Sequence, residues 1–160
     1  MTGSQKVVAD LKAALPLEAN LNLSYRLYAR LTHFQGIDKV SCKLEKFANH
    51  AHHFLKMVTK QLLFLTSEET NPASYTVPPI NEPKPPTLTQ LFLDALSAET
   101  GIATIYDRKN IPTAVAEFDE ETRHLWKDLL HWHRDHQRWL EKQLHLIDVL
   151  GEADYISEKL

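Results

Sequence analysis

Cysteine is nearly absent from this chain. Cys42 stands alone, so no intrachain disulfide can form and the small disulfide-stapled scaffolds are excluded. Glycine is scarce as well. The four present, Gly3, Gly36, Gly101 and Gly151, are too few to punctuate a strand-rich fold. No apolar run approaches the roughly 18 residues that a membrane-spanning helix needs, so no membrane is expected. Positive charge is not in excess either. Eighteen Lys and Arg face 21 Asp and Glu, for a net charge of −3, and no basic block stands out. A nucleic-acid surface is therefore not expected. The opening residues, Met1 to Lys6, lack the basic-then-apolar pattern of a signal peptide, and the expected compartment is the cytoplasm.

The material that is present suits one domain spanning residues 1–160, with 43% hydrophobic residues to build one core. Six of the eight prolines fall between Pro72 and Pro86. Each fixes φ and removes a backbone donor, so residues 67–86 cannot form a regular helix. They are expected to form a long crossover between two halves. In the first half, Val7, Leu11, Leu15, Glu18, Asn22, Tyr25 and Ala29 recur at helical spacing, with Pro16 expected to bend the helix. Leu44, Phe47, Ala51, Phe54, Val58, Leu62 and Leu65 form a second stripe. The second half repeats the plan with Leu88, Leu91, Ala95, Glu99, Ile102 and Ile105, then Leu125, Leu129, His133, His136, Leu140, Leu144 and Ile147. The predicted elements are helices over 4–34, 38–66, 87–109 and 113–150, with the break of the third at Asn110 to Thr113 and a short tail helix over 151–160. The expected fold is an all-α four-helix bundle with one long crossover and a short fifth helix, the arrangement of ferritin-like folds.

Two carboxylates and two imidazoles interrupt these apolar stripes: Glu18, Glu99, His133 and His136. A buried carboxylate needs a partner or a cation. Carboxylates and imidazoles converging from separate helices are the ingredients of a divalent metal site, and the i, i+3 spacing of His133 and His136 lets both rings point to one locus. Tyr25 lies on the same face as Glu18 and is placed to support a carboxylate. The alternative is a set of ordinary buried polar groups without metal. The second helix is the exception, because its stripe carries Ala51 and Phe54 at this depth. His50 and His53 flank that stripe and reach the centre only through a local rotation.

Several segments together resemble the bacterioferritins and related bacterial ferritins over nearly the whole chain. They are Leu17-Glu18, Tyr25 and Ala29-Arg30; Gly36; Leu63-Phe64-Leu65; Leu91-Phe92, Ala95-Leu96 and Glu99; and Trp139-Leu140-Glu141, Leu144, Leu146-Ile147, Gly151 and Tyr155. The resemblance implies iron binding and storage, and a di-iron ferroxidase centre with one Glu from each of helices one and three and a Glu-x-x-His pair from each of helices two and four. Glu18, Glu99 and His136 match that pattern. His133 stands where the family has Glu, and Ala51 and Phe54 stand at the helix-two ligand positions. The implied centre is degenerate, suited to one divalent ion, iron or zinc, with weak or absent ferroxidase activity. The resemblance also points to His52 as the counterpart of a haem-ligating Met. For partners it implies a two-fold dimer through helices one and two, with Leu21, Leu23 and Leu27 off the core stripe, and a 24-subunit shell. The competing readings are a non-catalytic partner subunit that co-assembles with an active ferritin, and a ferritin-like metal-dependent oxidoreductase.

Overall fold

The computed structural model describes residues 4–66 and 87–160. The crossover expected over 67–86 lies outside the described residues. Among the described residues every regular element is helical: α1 (Gln5–Phe34), α2 (Asp38–Thr66), α3 (Leu88–Ile105), α4 (Ile111–Ala116), α5 (Glu120–Leu150) and α6 (Glu152–Lys159). A π turn, Tyr106–Asn110, joins α3 to α4 without a break.

Local chemistry sets the ends of these helices. Ser4 and Thr87 accept hydrogen bonds from the backbone N–H of Lys6 and Gln90 and so cap α1 and α3. α1 closes at Gly36, whose φ of 79° is the left-handed conformation that glycine adopts without strain. The Ile37 N–H reaches back to the Thr32 carbonyl at 2.9 Å across this turn. Pro16 lies inside α1, and the helix continues through it.

Cross-helix bonds fix the directions. Tyr25 meets Glu99 while Tyr106 meets Glu18, so α1 and α3 are antiparallel. His50 meets His136 while Gln61 meets Thr122, so α2 and α5 are antiparallel. α1 and α2 pack along their lengths as a hairpin, as do α3 and α5. α2 and α3 therefore point the same way, and Thr66 and Leu88 lie at opposite ends of the bundle. This is the four-helix bundle expected from the periodicity. α6 closes one end. Its Tyr155 is fully buried and donates to Gln143 Oε1 at 2.7 Å, and Glu152 accepts from the backbone N–H of Thr89 at 2.9 Å.

The stripes of α2 and α5 are buried almost as read, apart from Leu144, which is partly covered. Three expectations need correction. The break placed at Asn110 to Thr113 does not occur there. Proline in an α-helix would press its ring against the carbonyl four residues back. Here the chain widens into the π turn, with the Ile111 N–H bonded to the Tyr106 carbonyl, and Pro112 falls in the first turn of α4, where no N–H is required. The true corner is at Phe118, with φ 56°, and Asp119 caps α5 by accepting from the Thr122 N–H at 3.0 Å. α5 thus starts at Glu120 rather than at 113. The second correction concerns Ile105, which is 38% exposed, while Tyr106 takes the core position. The third concerns Leu21, which is buried in the core, whereas Leu23 is exposed.

Phe54 is among the largest fully buried side chains. Phe54→Ala should leave a cavity and lower the unfolding free energy by about 3–5 kcal/mol, read from urea denaturation.

Candidate metal centre

Each side chain of the centre is delivered by a rod of the bundle. Glu18 and Tyr25 are seven residues apart on α1, so they share its inward face two turns from each other. Glu99 on α3 and Tyr106 in the π turn are also seven apart. His133 and His136 lie one turn apart on α5. All six are buried, none more than 1% exposed.

They form one hydrogen-bonded cluster. His133 bridges the two carboxylates: its Nε2 lies 2.7 Å from Glu18 Oε1 and its Nδ1 lies 2.6 Å from Glu99 Oε2. His136 Nδ1 lies 2.8 Å from Glu99 Oε1. Each carboxylate also accepts from a phenol. Tyr25 donates to Glu99 Oε1 at 2.5 Å, and Tyr106 donates to Glu18 Oε1 at 2.7 Å. Glu18 Oε2 is buried with no hydrogen-bond partner.

The α2 side of the cluster is mostly carbon. Ala51 and Phe54 are buried, and the Phe54 ring centroid is 5.2 Å from that of His133. Phe47 stacks on His136 at 4.0 Å. His50 adds the one polar contact from this helix, with its Nδ1 2.9 Å from His136 Nε2 and its ring against Trp132 at 4.6 Å. His50 is half-buried, so it links the cluster to the surface. His52 and His53 are exposed and take no part in the cluster.

The electrostatics follow from these contacts. Burial disfavours a charged His133, but the carboxylates of Glu18 and Glu99 outweigh it and push the ring up to about 10. Burial would likewise raise Glu99, but hydrogen bonds from His133 and His136 hold it at about 2. Burial, then the charge of the facing glutamate, raises both Tyr25 and Tyr106, so both phenols remain donors. Burial, with His136 beside it, lowers His50.

The arrangement does not fit two irons. A di-iron pair needs bridging carboxylates and ligands from all four helices, and α2 offers Ala51 and Phe54 where the resemblance calls for a Glu and a His. It does fit one cation. Donor atoms of Glu99, His133 and His136 all lie within 4.8 Å of one another. Glu18 stands on the other side of the His133 ring, with its Oε2 unpartnered. Of the residues singled out in the sequence, Glu18, Glu99, His133, His136 and Tyr25 converge, and His50 joins them. Tyr106 was missed. Its signal is a spacing of four from Ile102 and seven from Glu99, passed over by continuing the stripe to Ile105.

The bundle has the ferritin-like fold. Comparison with known proteins agrees with the resemblance drawn above. The chain is 26% identical to a bacterial ferritin of Synechocystis sp. over 165 residues, covering 100% of this chain and 99% of that protein. Among solved structures it is similar to Rhodobacter capsulatus bacterioferritin, with a TM-score of 0.89 and 23% identity over 99% of this chain and 96% of that one. That protein is described with a metal-free dinuclear site and a haem iron. Mycobacterium tuberculosis bacterioferritin gives 0.90 and 20% identity over 100% and 97% of the two chains. No family profile matches the sequence. No described helix is long and apolar enough to cross a membrane.

The metal-free protein should have a stability profile set by its buried charges. His133 is ordinarily half-protonated at 6.5 and is raised to about 10, so its contribution is complete below 6.5 and is lost as pH rises through 10. Glu99 is lowered from 4.5 to about 2, so its contribution is present above 4.5 and is lost as pH falls towards 2. Urea midpoints should be highest between these limits and fall on both sides. His133→Gln should flatten the alkaline limb.

Proposed function

We propose that this chain is a ferritin-type subunit of iron homeostasis whose centre holds one divalent cation and oxidises ferrous iron weakly or not at all. The observation that carries the reading is the carbon surface of α2, Ala51 and Phe54, closing a cluster that is otherwise rich in carboxylate and imidazole. Glu99, His133 and His136 would hold the ion, Glu18 would be drawn in as the further ligand, and Tyr25 and Tyr106 would fix the carboxylates. A bound cation would balance the two buried carboxylates, a role that the His133 proton fills in its absence. Ferrous iron and zinc both suit this donor set. Ferroxidase chemistry needs a second metal and bridging carboxylates to absorb the rising charge, and Phe54 fills that side with carbon.

Storage in a shell would rest on self-association through α1 and α2, where Leu23 is exposed and Leu27 is only partly covered. The same carbon face suits a chain that co-assembles with an active ferritin, so native mass should be measured alone and with such a partner. The cytoplasm is the compartment this reading implies. Haem is not assigned. On the outer face of α2 the residues flanking His52 are Glu45, Asn49 and Lys56, and Arg26 donates to Glu45 at 2.6 Å and to Asn49 at 3.1 Å. That surface is polar and charged, whereas a haem face needs an apolar slot.

Two measurements test the reading. Aerobic ferrous addition should give slow ferric absorbance, and rapid saturable oxidation of two irons per chain would overturn it. Zinc titration should bind one ion per chain and, at about pH 7.5, release close to one proton from His133. An ordinary histidine near 6.5 would release only about a tenth of a proton at that pH. Release near zero would show that the ion binds elsewhere.

A further inference from the structure

His136 turns one ring nitrogen to Glu99 and the other to His50. We propose that His50 is a positioning residue: by changing from donor to acceptor at its Nδ1, it lets His136 free its own Nδ1 for a cation while both rings stay neutral. The proposal rests on the single-cation reading above and adds the residue that prepares one of its ligands.

The hydrogen bonds assign the protons. A carboxylate only accepts, so the 2.8 Å contact between His136 Nδ1 and Glu99 Oε1 carries its hydrogen on Nδ1. An uncharged His136 then has a bare Nε2, which needs a donor. That donor is His50 Nδ1–H, 2.9 Å away. Phe47 and Phe54 also lie beside His136, and their carbon offers Nε2 no other partner. His136 is buried and His50 is only half-buried, so the His50 ring carries the link to solvent.

A cation on the Glu99 side needs the lone pair of His136 Nδ1. That nitrogen must give up its hydrogen, and the neutral ring then carries one on Nε2. His50 supplies it from Nδ1 and takes another from solvent on its own Nε2. The hydrogen lost from His136 Nδ1 balances the one gained by His50, so neither ring changes charge. His133 remains the source of the single proton released. His136 Nε2–H now donates to the bare His50 Nδ1, and a ligating imidazole is held by the group behind its second nitrogen. Without His50 that N–H would face carbon and lose its hydrogen bond.

A packing role alone is the competing account, since the His50 ring lies against Trp132 at 4.6 Å. Two variants separate the accounts. His50→Phe keeps a ring and loses the acceptor, whereas His50→Asn loses the ring and keeps an amide oxygen where Nδ1 stands. Helical circular dichroism should be unchanged in both. Zinc affinity should fall about 10–100-fold in His50→Phe and stay close to wild type in His50→Asn. The reverse order would show packing and overturn the proposal, as would equal affinity in all three proteins.

Solid-state nitrogen NMR of histidine-labelled wild type reads the tautomers directly. The His50→Phe spectrum identifies the His50 signals, and coupling across the contact between the rings identifies those of His136. Without metal, both rings should carry hydrogen on Nδ1, and with zinc both should carry it on Nε2. Zinc binding with either tautomer unchanged would overturn the proposal and leave the single-cation reading standing. Failure of the wild type to bind zinc would remove that reading, and the proposal with it.

Discussion

Everything inside this bundle turns on two carboxylates held away from water. Glu18 on α1 and Glu99 on α3 lie at 0% exposure in a core otherwise built from aliphatic and aromatic side chains. An uncompensated pair at that depth would cost more than a domain's whole margin of stability can absorb. His133 resolves the conflict by bonding to both at once, so one side chain of α5 ties α1 to α3 through charge as well as packing. The phenols of Tyr25 and Tyr106 and the ring of His136 then use up most of the remaining lone pairs. The stacked shell of Phe47, Phe54 and Trp126 keeps water out and keeps these contacts strong.

Much of this was legible in the sequence because helical period converts spacing directly into facing. The polar intrusions on otherwise apolar stripes pointed to Glu18, Glu99, His133 and His136, and in the structure these four meet. The same logic failed where the period itself changes. Pro112 reads as a stop, yet a widened turn carries the chain past it, and the core position moves from Ile105 to Tyr106. Tyr106 itself keeps the period, seven from Glu99, whereas the passage of the chain past Pro112 has no sign in the stripe. Leu21 departs from the stripe in a smaller way. Leu21 is buried and Asn22 is only partly covered, so the buried arc of α1 reaches further towards Leu21 than the stripe read from the sequence. His50 was visible only as a flank, because its contact with His136 depends on how closely α2 and α5 approach.

The chemical character of the centre is decided as much by what α2 withholds as by what the other helices supply. Ala51 is too small to reach anything, and Phe54 fills the vacated volume instead of leaving a cavity. This is sound packing, since an empty space among four helices would be costly, whereas an aromatic ring restores contact and lies against the edge of His133. It also makes the change hard to undo one residue at a time. A carboxylate introduced at 51 alone would lie one turn from Phe54 on the same buried face of α2, against carbon. The Ala51 and Phe54 pair behaves as a unit.

The π turn at Tyr106–Asn110 has a consequence for how this chain lines up with others. A π turn admits one residue more than an ordinary helical turn while the axis continues nearly straight. Positions before it and after it therefore follow different frames, offset by a single step around the cylinder. A residue-for-residue comparison that is faithful at Glu99 drifts by one place beyond Asn110 and assigns each later side chain to its neighbour's direction, unless the offset is restored before α5. The corner at Phe118 and Asp119 is where such an offset can be absorbed, because loop residues carry no facing of their own. The facing of His133 and His136 is therefore set within α5 itself, beyond that corner, and is independent of the frame that places Glu99 and Tyr106.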